Sequence, residues 1–274
     1  MFNARAIGNK HEYICDRITM DKLVFCAVVE TWHDASDSSN LIACAQPCYG
    51  YLQHARPQST RKSASLFTNH GSNCLFYKTK FRAHDISLPV YNNFEVLGCY
   101  IRGSAVNILV IVVYRSGSAT VTNEFFDDFD SILDRAATFA SSLVIISDIN
   151  IHSDAATNPN TIKFNQTLDS HGLVQHVVGL THNRGHTLDS LITRKDATVL
   201  AMCVDVPSVS DHSFIMVSLA PGIDSDCHVI NVFDRRRWRR DFDSTSFTAD
   251  LINSRFVADP PATLILFSTA MMKH

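Results

Sequence analysis

The sequence predicts an α/β fold with a partly antiparallel sheet. Short apolar runs typical of strands recur along the chain, and segments with helical spacing of apolar residues lie between some of them. This alternation favours helices layered on a sheet. The apolar runs at 94–101 and 107–114 lie too close in sequence for a helical crossover, so we expect them to pair as antiparallel neighbours.

Six apolar runs are the strand candidates, and two amphipathic segments are the helix candidates. The strands are expected at 23–30, 73–77, 94–101, 107–114, 142–147 and 214–219. The helices are expected at 122–140 and 161–171. Thr122 is a suitable N-cap for the first helix, because its hydroxyl can accept from a free backbone N–H of the first turn.

Length and composition indicate a folded chain with a sizeable core. The 274 residues suffice for one large domain or two small ones, and the apolar fraction of 46% excludes a mainly disordered chain. The net charge of -3 neither supports nor excludes a nucleic-acid partner, since a local basic groove matters more than the sum.

The cysteines and the N-terminus favour an intracellular chain. The eight cysteines are scattered, several of them inside strand-like runs, which is typical of reduced thiols. The N-terminus has no apolar signal-peptide core, and no run reaches membrane-spanning length. We therefore expect no membrane partner, and we identify no targeting signal.

The pattern of strands and helices weakens after residue 220. The segment 221–274 contains a basic run at 235–240 and then adjacent prolines, Pro260 and Pro261, which exclude a continuous helix. We predict one domain at 1–220 and a linker-like tail at 221–274. The basic run is either a phosphate-contacting patch or, as we favour, a solvated connector.

The stretch LVIISDINIH, residues 143–152, ends an apolar strand in three polar side chains. Asp148, Asn150 and His152 alternate, so they would project from one face if the strand persisted. Ligands of α/β sheets usually bind at such carboxyl ends. A turn in which Asp and Asn bond the backbone explains the stretch about as well.

Similar residues stand at the ends of other predicted elements. Glu30 follows one apolar run, Asp189 begins another, and Asp211 and His212 precede a third, while Asn3 precedes a probable helix. Each alone is more often a solvated or capping group. Together they suit metal-assisted phosphodiester cleavage, because Mg²⁺ prefers oxygen ligands and a His paired with a carboxylate can handle protons near neutral pH.

The ordered set NARAIGNK, VVETW, VVYRS, IISDIN, RGHTLDSLI and SDHSFI resembles a known family. It is similar to the endonuclease domain of non-LTR (LINE-type) retrotransposons, in the endonuclease/exonuclease/phosphatase (DNase I-like) superfamily. The resemblance covers residues 3–219. It implies a four-layer α/β/β/α sandwich of two packed mixed sheets flanked by helices, and a Mg²⁺-dependent endonuclease that nicks DNA.

The resemblance also implies a role for each matching residue. The metal ligands would be Glu30, Asn3 and Asp211. The catalytic residues would be His212, Asp189 that orients it, Asp148 that activates water or assists the leaving group, Asn150 that holds the phosphate, and Tyr114. Substrate contacts are expected from Asn150, His152 and Thr187. Mg²⁺ is the expected cofactor, with Mn²⁺ as an alternative, and we expect a monomer acting on DNA in the nucleus.

Some residues depart from the family pattern. Ser147 stands where the family usually has Gly, and its side chain is expected to crowd the motif. The segment 56–73 has only Gly71 where a glycine-rich run is common, and Ser116 replaces a Pro. No reverse transcriptase follows, which suggests a decayed fragment. The alternatives are therefore an inactive nucleic-acid-binding relic of the same fold and, less favoured, a phosphoesterase for small phosphoesters.

Overall fold

The computed structural model describes residues 1–33, 36–56, 71–103, 107–139 and 142–220. All of them belong to one compact unit, Met1–Ser225. The predicted tail at 221–274, with its basic run, and most of the altered segment at 56–73 lie outside the described residues. The domain boundary near 220 stays a prediction.

Helices and strands alternate, with hairpins between some strands. The helices are α1 (His11–Met20), α2 (Ser39–Cys44), α3 (Asn123–Ala137) and α4 (Pro159–Ser170). The strands are β1 (Phe2–Asn3), β2 (Phe25–Val29), β3 (Tyr49–His54), β4 (Asn73–Lys78), β5 (Arg82–Ile86), β6 (Glu95–Arg102), β7 (Asn107–Tyr114), β8 (Ser142–Asp148), β9 (Leu173–Gln175), β10 (Asp189–Arg194), β11 (Val199–Val204) and β12 (Ile215–Leu219). None of the described helices is long and apolar enough to cross a bilayer.

The strands form two mixed sheets and one separate hairpin. The four-stranded sheet has the order β1-β2-β4-β3, and the six-stranded sheet has the order β5-β6-β7-β8-β10-β9. Strands β1 and β2 run parallel, as do β7 and β8, and the other pairings described are antiparallel. Strands β11 and β12 pair with each other. The predicted pairing of 94–101 with 107–114 is confirmed as the hairpin β6–β7.

Three apolar cores separate four layers. One core packs Ile14 and Leu41 of the first two helices against the four-stranded sheet. A second lies between the two sheets, and a third packs α3 and α4, with Phe129 and Phe164, on the outer face of the six-stranded sheet. The predicted α/β/β/α sandwich is confirmed.

Strand β7 is buried on both faces, which explains its uninterrupted apolar sequence. Leu109, Ile111 and Val113 point into the core beneath α3 and α4, whereas Val110 and Val112 point into the core between the sheets. Because side chains alternate along a strand, a strand buried on both faces needs apolar residues at every position. Strand β8, beside β7, follows the same rule.

Helix α3 begins where the sequence predicts. The Thr122 hydroxyl accepts from the Phe125 N–H at 3.2 Å, which satisfies one free donor of the first turn. Its apolar stripe, with Phe125, Phe129 and Leu133, is buried. This helix and α4 support the strand that carries Asp148, since both pack on the same sheet.

Candidate active site

The sheet register brings several predicted site residues together. Tyr114, at the end of β7, lies beside Asp148, at the end of the parallel strand β8. Asp189 begins the antiparallel strand β10 and lies on the other side of Asp148. In the other sheet, β1 pairs with β2 so that Asn3 lies beside the last residue before Glu30. The strand ends thus place these side chains in two groups that face each other.

Asn3 joins the two groups. Its Nδ2 donates to Glu30 Oε1 at 2.9 Å and to Asp148 Oδ2 at 2.7 Å, and its Oδ1 accepts from the Arg5 N–H at 3.1 Å. The side chain is fully buried. One amide therefore uses both of its N–H bonds to fix a carboxylate from each sheet in one position.

Glu30 stands where β2 breaks off. Its φ is 49° and that of Trp32 is 52°, both in the left-handed region that non-glycine residues seldom adopt. Glu30 Oε2 accepts from Trp32 Nε1 at 3.2 Å, and the Tyr114 hydroxyl lies near the same carboxylate. Burial and the nearby Glu30 carboxylate raise the pKa of Tyr114, so this hydroxyl stays protonated. Backbone strain of this kind is commonly retained at functional sites.

His212 lies between two buried carboxylates. Its Nδ1 is 2.9 Å from Asp189 Oδ2, and its Nε2 is 3.8 Å from Asp148 Oδ2. Asp189 is itself held by its backbone N–H, which donates to Thr181 Oγ1 at 3.2 Å. The short contact fixes the ring, and it directs Nε2 towards Asp148.

The two carboxylates decide the charge of His212. Burial opposes the imidazolium, but Asp189 foremost, with Asp148 and Asp211, raises the pKa of His212 to about 9. Burial and the neighbouring Asp189 raise the pKa of Asp148, although His212 and the bond from Asn3 favour its charged form. Because Asp189 already compensates the imidazolium, Asp148 remains in surroundings with excess negative charge.

In metal-free buffer we expect His212 to be protonated at pH 7 and to lose its proton only near pH 9. Asp189→Asn removes the closer carboxylate, so the pKa of His212 should fall by about 1–3 units. Imidazole nitrogen shifts in an NMR titration measure both values. An Asp189→Asn variant that titrates like the wild type would contradict this account.

Asp211 is held by two cationic or polar partners that the sequence argument did not include. Its Oδ2 accepts from Arg5 Nη1 and lies 3.4 Å from His182 Nε2. Burial opposes ionisation, but the bond from Arg5 and the charge of His212 lower the pKa of Asp211. The His182 ring packs edge-on against that of His212, with centroids 4.8 Å apart. The metal-ligand role of Asp211 stays a prediction.

Asn150 does not continue the strand. Strand β8 ends at Asp148, and Asn150 has a φ of 52°, so of the two interpretations left open for this stretch the structure shows the turn. The Asn150 N–H donates to Asp148 Oδ1 at 3.2 Å, and its Nδ2 donates to the Arg115 carbonyl at 2.8 Å. The polar end of the stretch is therefore a turn that also fixes Asp148.

Arg115 and Gly117 shape this turn, although neither is among the predicted site residues. The buried Arg115 guanidinium donates to the carbonyls of Ile149 at 2.6 Å and Asn150 at 3.0 Å. A Cβ at Gly117 would lie 2.8 Å from Asn150 Oδ1, too close for any other residue without a shift. A buried Arg directly after a strand was the available signal, but its carbonyl partners are visible only in the fold.

Glu30, Asn3, Asp148, Asp189 and His212 form what we call the central group. His152 and Thr187 make their described contacts outside it. His152 packs against His186, with ring centroids 4.2 Å apart. The buried Thr187 hydroxyl donates to the Gly179 carbonyl at 2.6 Å, so this hydroxyl holds a loop. The substrate contacts of Asn150, His152 and Thr187 stay predictions.

Ser147 lies in a regular part of β8 and is fully buried. It is not among the described residues with positive φ, so its backbone does not require Gly. Its Oγ has no hydrogen-bond partner among the described residues. The hydroxyl is thus a buried polar group that costs stability.

Ser147→Ala is therefore expected to raise the free energy of unfolding by about 1 kcal/mol, because it removes an unpaired hydroxyl without adding glycine's backbone freedom. Denaturation with urea measures the change. Ser131→Ala, on the exposed face of α3, is the control and should change stability by less than about 0.5 kcal/mol. A loss of stability in Ser147→Ala would contradict the reading of this hydroxyl as unpaired.

The central group could hold a cation. Single ligand atoms of Asp148, Asp189 and His212 lie within 4.8 Å of one another, as do those of His182, Asp211 and His212. Glu30 adds a third buried carboxylate, joined to Asp148 through Asn3. The chain therefore carries a buried cluster of acidic and histidine side chains of the kind that binds metal ions.

Comparisons with known proteins found one partial family match and several structures with the same fold. Residues 108–216 match the family model described as endonuclease-reverse transcriptase. No curated protein matches the sequence. Several solved structures share the fold at low sequence identity.

Three of these structures illustrate the similarity. An endonuclease/exonuclease/phosphatase protein from Bacteroides vulgatus has a TM-score of 0.62 at 12% identity, over 80% of this chain and 97% of that one. The endonuclease domain of TRAS1, a telomere-specific non-LTR retrotransposon, has a TM-score of 0.60 at 13% identity, over 81% and 96%. The 3′-5′ exonuclease NExo from Neisseria meningitidis has a TM-score of 0.59 at 14% identity, over 80% and 97%.

At such low identities the structural matches show the fold alone. The family model adds a match over residues 108–216. Residues 108–216 are similar to the endonuclease-reverse transcriptase family model, and the described chain has the same fold as these endonuclease and endonuclease/exonuclease/phosphatase structures.

Proposed function

We propose that this chain is a Mg²⁺-dependent endonuclease that hydrolyses a phosphodiester bond of DNA and leaves a nick. The observation that carries the proposal is the chain of contacts from Glu30 through Asn3 to Asp148, which faces the His212–Asp189 pair. Phosphodiester hydrolysis needs a cation site, a base for water and a donor to the phosphate. This arrangement offers all three within one buried group.

The donor set fits a hard divalent cation. Glu30, Asp148 and Asp189 bring three buried carboxylates, and among the central residues only His212 brings a compensating charge. Burial first, and then the neighbouring Asp189, raise the pKa of Asp148, so a bound cation would favour its charged form. Glu30, Asn3 and Asp211 would hold the ion, and Mn²⁺ suits the same oxygen ligands. When bound, the cation supplies charge neutralisation at the phosphoryl oxygens.

The remaining steps belong to the side chains. Asp148 would take a proton from the attacking water and return it to the leaving oxygen as the P–O bond breaks, because Asn3 holds its carboxylate beside Glu30. His212, protonated near neutral pH, would donate from Nε2 to the phosphate, while Asp189 fixes its orientation. Asn150 and Tyr114 would contact the phosphate from the turn and from the end of β7.

One observation favours the alternative of an inactive nucleic-acid-binding relic. The Arg5 guanidinium contacts Asp211 Oδ2, so a carboxylate that the proposal assigns to the cation is already paired. Cleavage requires that this ion pair open or that the cation bind without Asp211. Arg5 is half-exposed, and exposed ion pairs contribute less than about 1 kcal/mol to stability, so opening this pair costs little free energy.

Nicking of supercoiled plasmid tests the proposal. The full chain is incubated with plasmid and Mg²⁺, with Glu30→Ala and His212→Ala as parallel samples and EDTA as a further control. Nicked circles from the wild type alone are expected. Equal nicking in all three proteins would indicate a contaminating nuclease. Intact plasmid with a retained gel shift would favour the relic.

A further inference from the structure

A second cluster of metal-ligating side chains lies outside the central group. It consists of His152 and Asp154, in the loop between β8 and α4, and His186, in the segment before β10. One ligand atom from each lies within 4.8 Å of the other two. Asp154 Oδ2 is 3.5 Å from His186 Nδ1, and the two imidazole rings are 4.2 Å apart at their centroids.

The backbone holds both segments in place. The Ser153 N–H donates to the Thr187 carbonyl, and the Thr187 N–H donates to Asp154 Oδ1, both at 2.9 Å. Asp154 therefore uses one oxygen to bind the neighbouring segment and presents the other to His186. Because Asp154 is fixed in this way, an ion would not have to order it from a free rotamer.

The backbone of each histidine is held as well. The His152 carbonyl accepts from the Ala155 N–H and from Thr161 Oγ1, both at 2.9 Å. The His186 carbonyl accepts from the N–H groups of Thr181 at 2.9 Å and His182 at 3.0 Å. The three ligands thus stand on anchored backbone, as a preformed site requires.

One buried atom of the cluster faces Asp154 Oδ2 at 3.5 Å without making a regular hydrogen bond. His186 Nδ1 is inaccessible to solvent, and among the described residues no group makes a hydrogen bond to it. Buried polar atoms are seldom left without a hydrogen bond, and a bound ion is one of the accepted explanations. A cation between His186 Nδ1 and Asp154 Oδ2 would satisfy both atoms at once.

We propose that His152, Asp154 and His186 form a second metal site, selective for a borderline divalent transition ion such as Zn²⁺. Two imidazole nitrogens and one carboxylate oxygen match that ion, whereas Mg²⁺ and Ca²⁺ prefer oxygen ligands alone. Three protein ligands leave a position for water or an anion. The ion would clamp the loop that follows Asn150 to the segment that leads into Asp189.

Zinc binding to the metal-free full chain tests the proposal, by calorimetry with Zn²⁺ and by the visible spectrum with Co²⁺. We expect His152→Ala and His186→Ala each to weaken Zn²⁺ binding by about 100-fold or more, since each removes one of three ligands. His84→Ala, an exposed His on β5, is the matched control and should bind like the wild type. Wild-type protein should also melt at a higher temperature with Zn²⁺, and the two site variants should not.

His212→Ala separates this site from the central group, which also contains histidines. If Zn²⁺ binding survives in His212→Ala and is lost in His186→Ala, the proposal stands. Loss in His212→Ala with retention in His186→Ala, or no binding by the wild type, would overturn it. Circular dichroism of each variant shows whether it is folded, and the wild-type Co²⁺ spectrum reports nitrogen and oxygen ligands without any substitution. The experiment measures metal binding and not DNA cleavage. Its result therefore remains valid even if the protein does not nick plasmid.

Discussion

His212→Ala is expected to slow plasmid nicking by about 10³-fold, within the range that a positioned acid–base group contributes. The imidazole lies between Asp189 and Asp148, with Nε2 3.8 Å from Asp148 Oδ2, and both carboxylates are buried. Removal of the ring leaves the phosphate without this donor and leaves Asp189 unpaired. Single-turnover nicking rates at saturating Mg²⁺ measure the loss.

A matched substitution and a double variant make this result specific. His84→Ala, exposed on the edge strand β5, should nick at the wild-type rate. Asp189→Asn acts through His212, so adding it to His212→Ala should reduce the rate little further. Full additivity of the two losses would show that Asp189 has a separate role. A His212→Ala protein that nicks normally would exclude His212 from the chemistry.

Glu30→Gln should reduce nicking on the order of 10³-fold, because a metal's charge stabilisation is worth several kcal/mol. Gln keeps the size of the side chain and an oxygen that can accept from Asn3, but it removes the negative charge that would hold the cation. Nicking rates across a Mg²⁺ titration measure the effect, and we expect higher Mg²⁺ to restore part of the rate.

Glu124→Gln is the control for this substitution, since Glu124 is an exposed carboxylate in the first turn of α3. It should leave both the rate and the Mg²⁺ dependence unchanged. If Glu30→Gln needed no more Mg²⁺ than the wild type and nicked as fast, the cation would have to be held elsewhere in the cluster.

The strands that could be predicted are those buried on both faces. Strands β7 and β8 read as continuous apolar runs, because each face packs against a core, and their bounds agree with the prediction to within a residue. Strand β5, whose sequence is RAHDI, was missed. It lies at a sheet edge and is largely exposed, so its pairing with β6 determines its conformation more than its own apolar content does.

Some features of the candidate site could likewise be predicted from the sequence, and others could not. Carboxylates at strand ends could be predicted, because sheet geometry brings such ends together. The ion pair of Arg5 with Asp211 could not, since it joins residues 206 positions apart. At Asn150 the sequence left a turn and a continued strand equally open, because the left-handed φ found there leaves no pattern in the sequence.

The position of Asn3 makes the central group sensitive to how the sheets dock. Asn3 and Glu30 belong to the four-stranded side, whereas Asp148 and Asp189 belong to the six-stranded sheet. Neither half of the sandwich contains a complete set of ligands and acids. A slide of one sheet over the other by an ångström or so would break the Asn3 bridge while leaving both sheets and their helices folded. The proposed cleavage would therefore depend on the packing of the apolar core between the sheets. Cleavage would be lost before the secondary structure is lost.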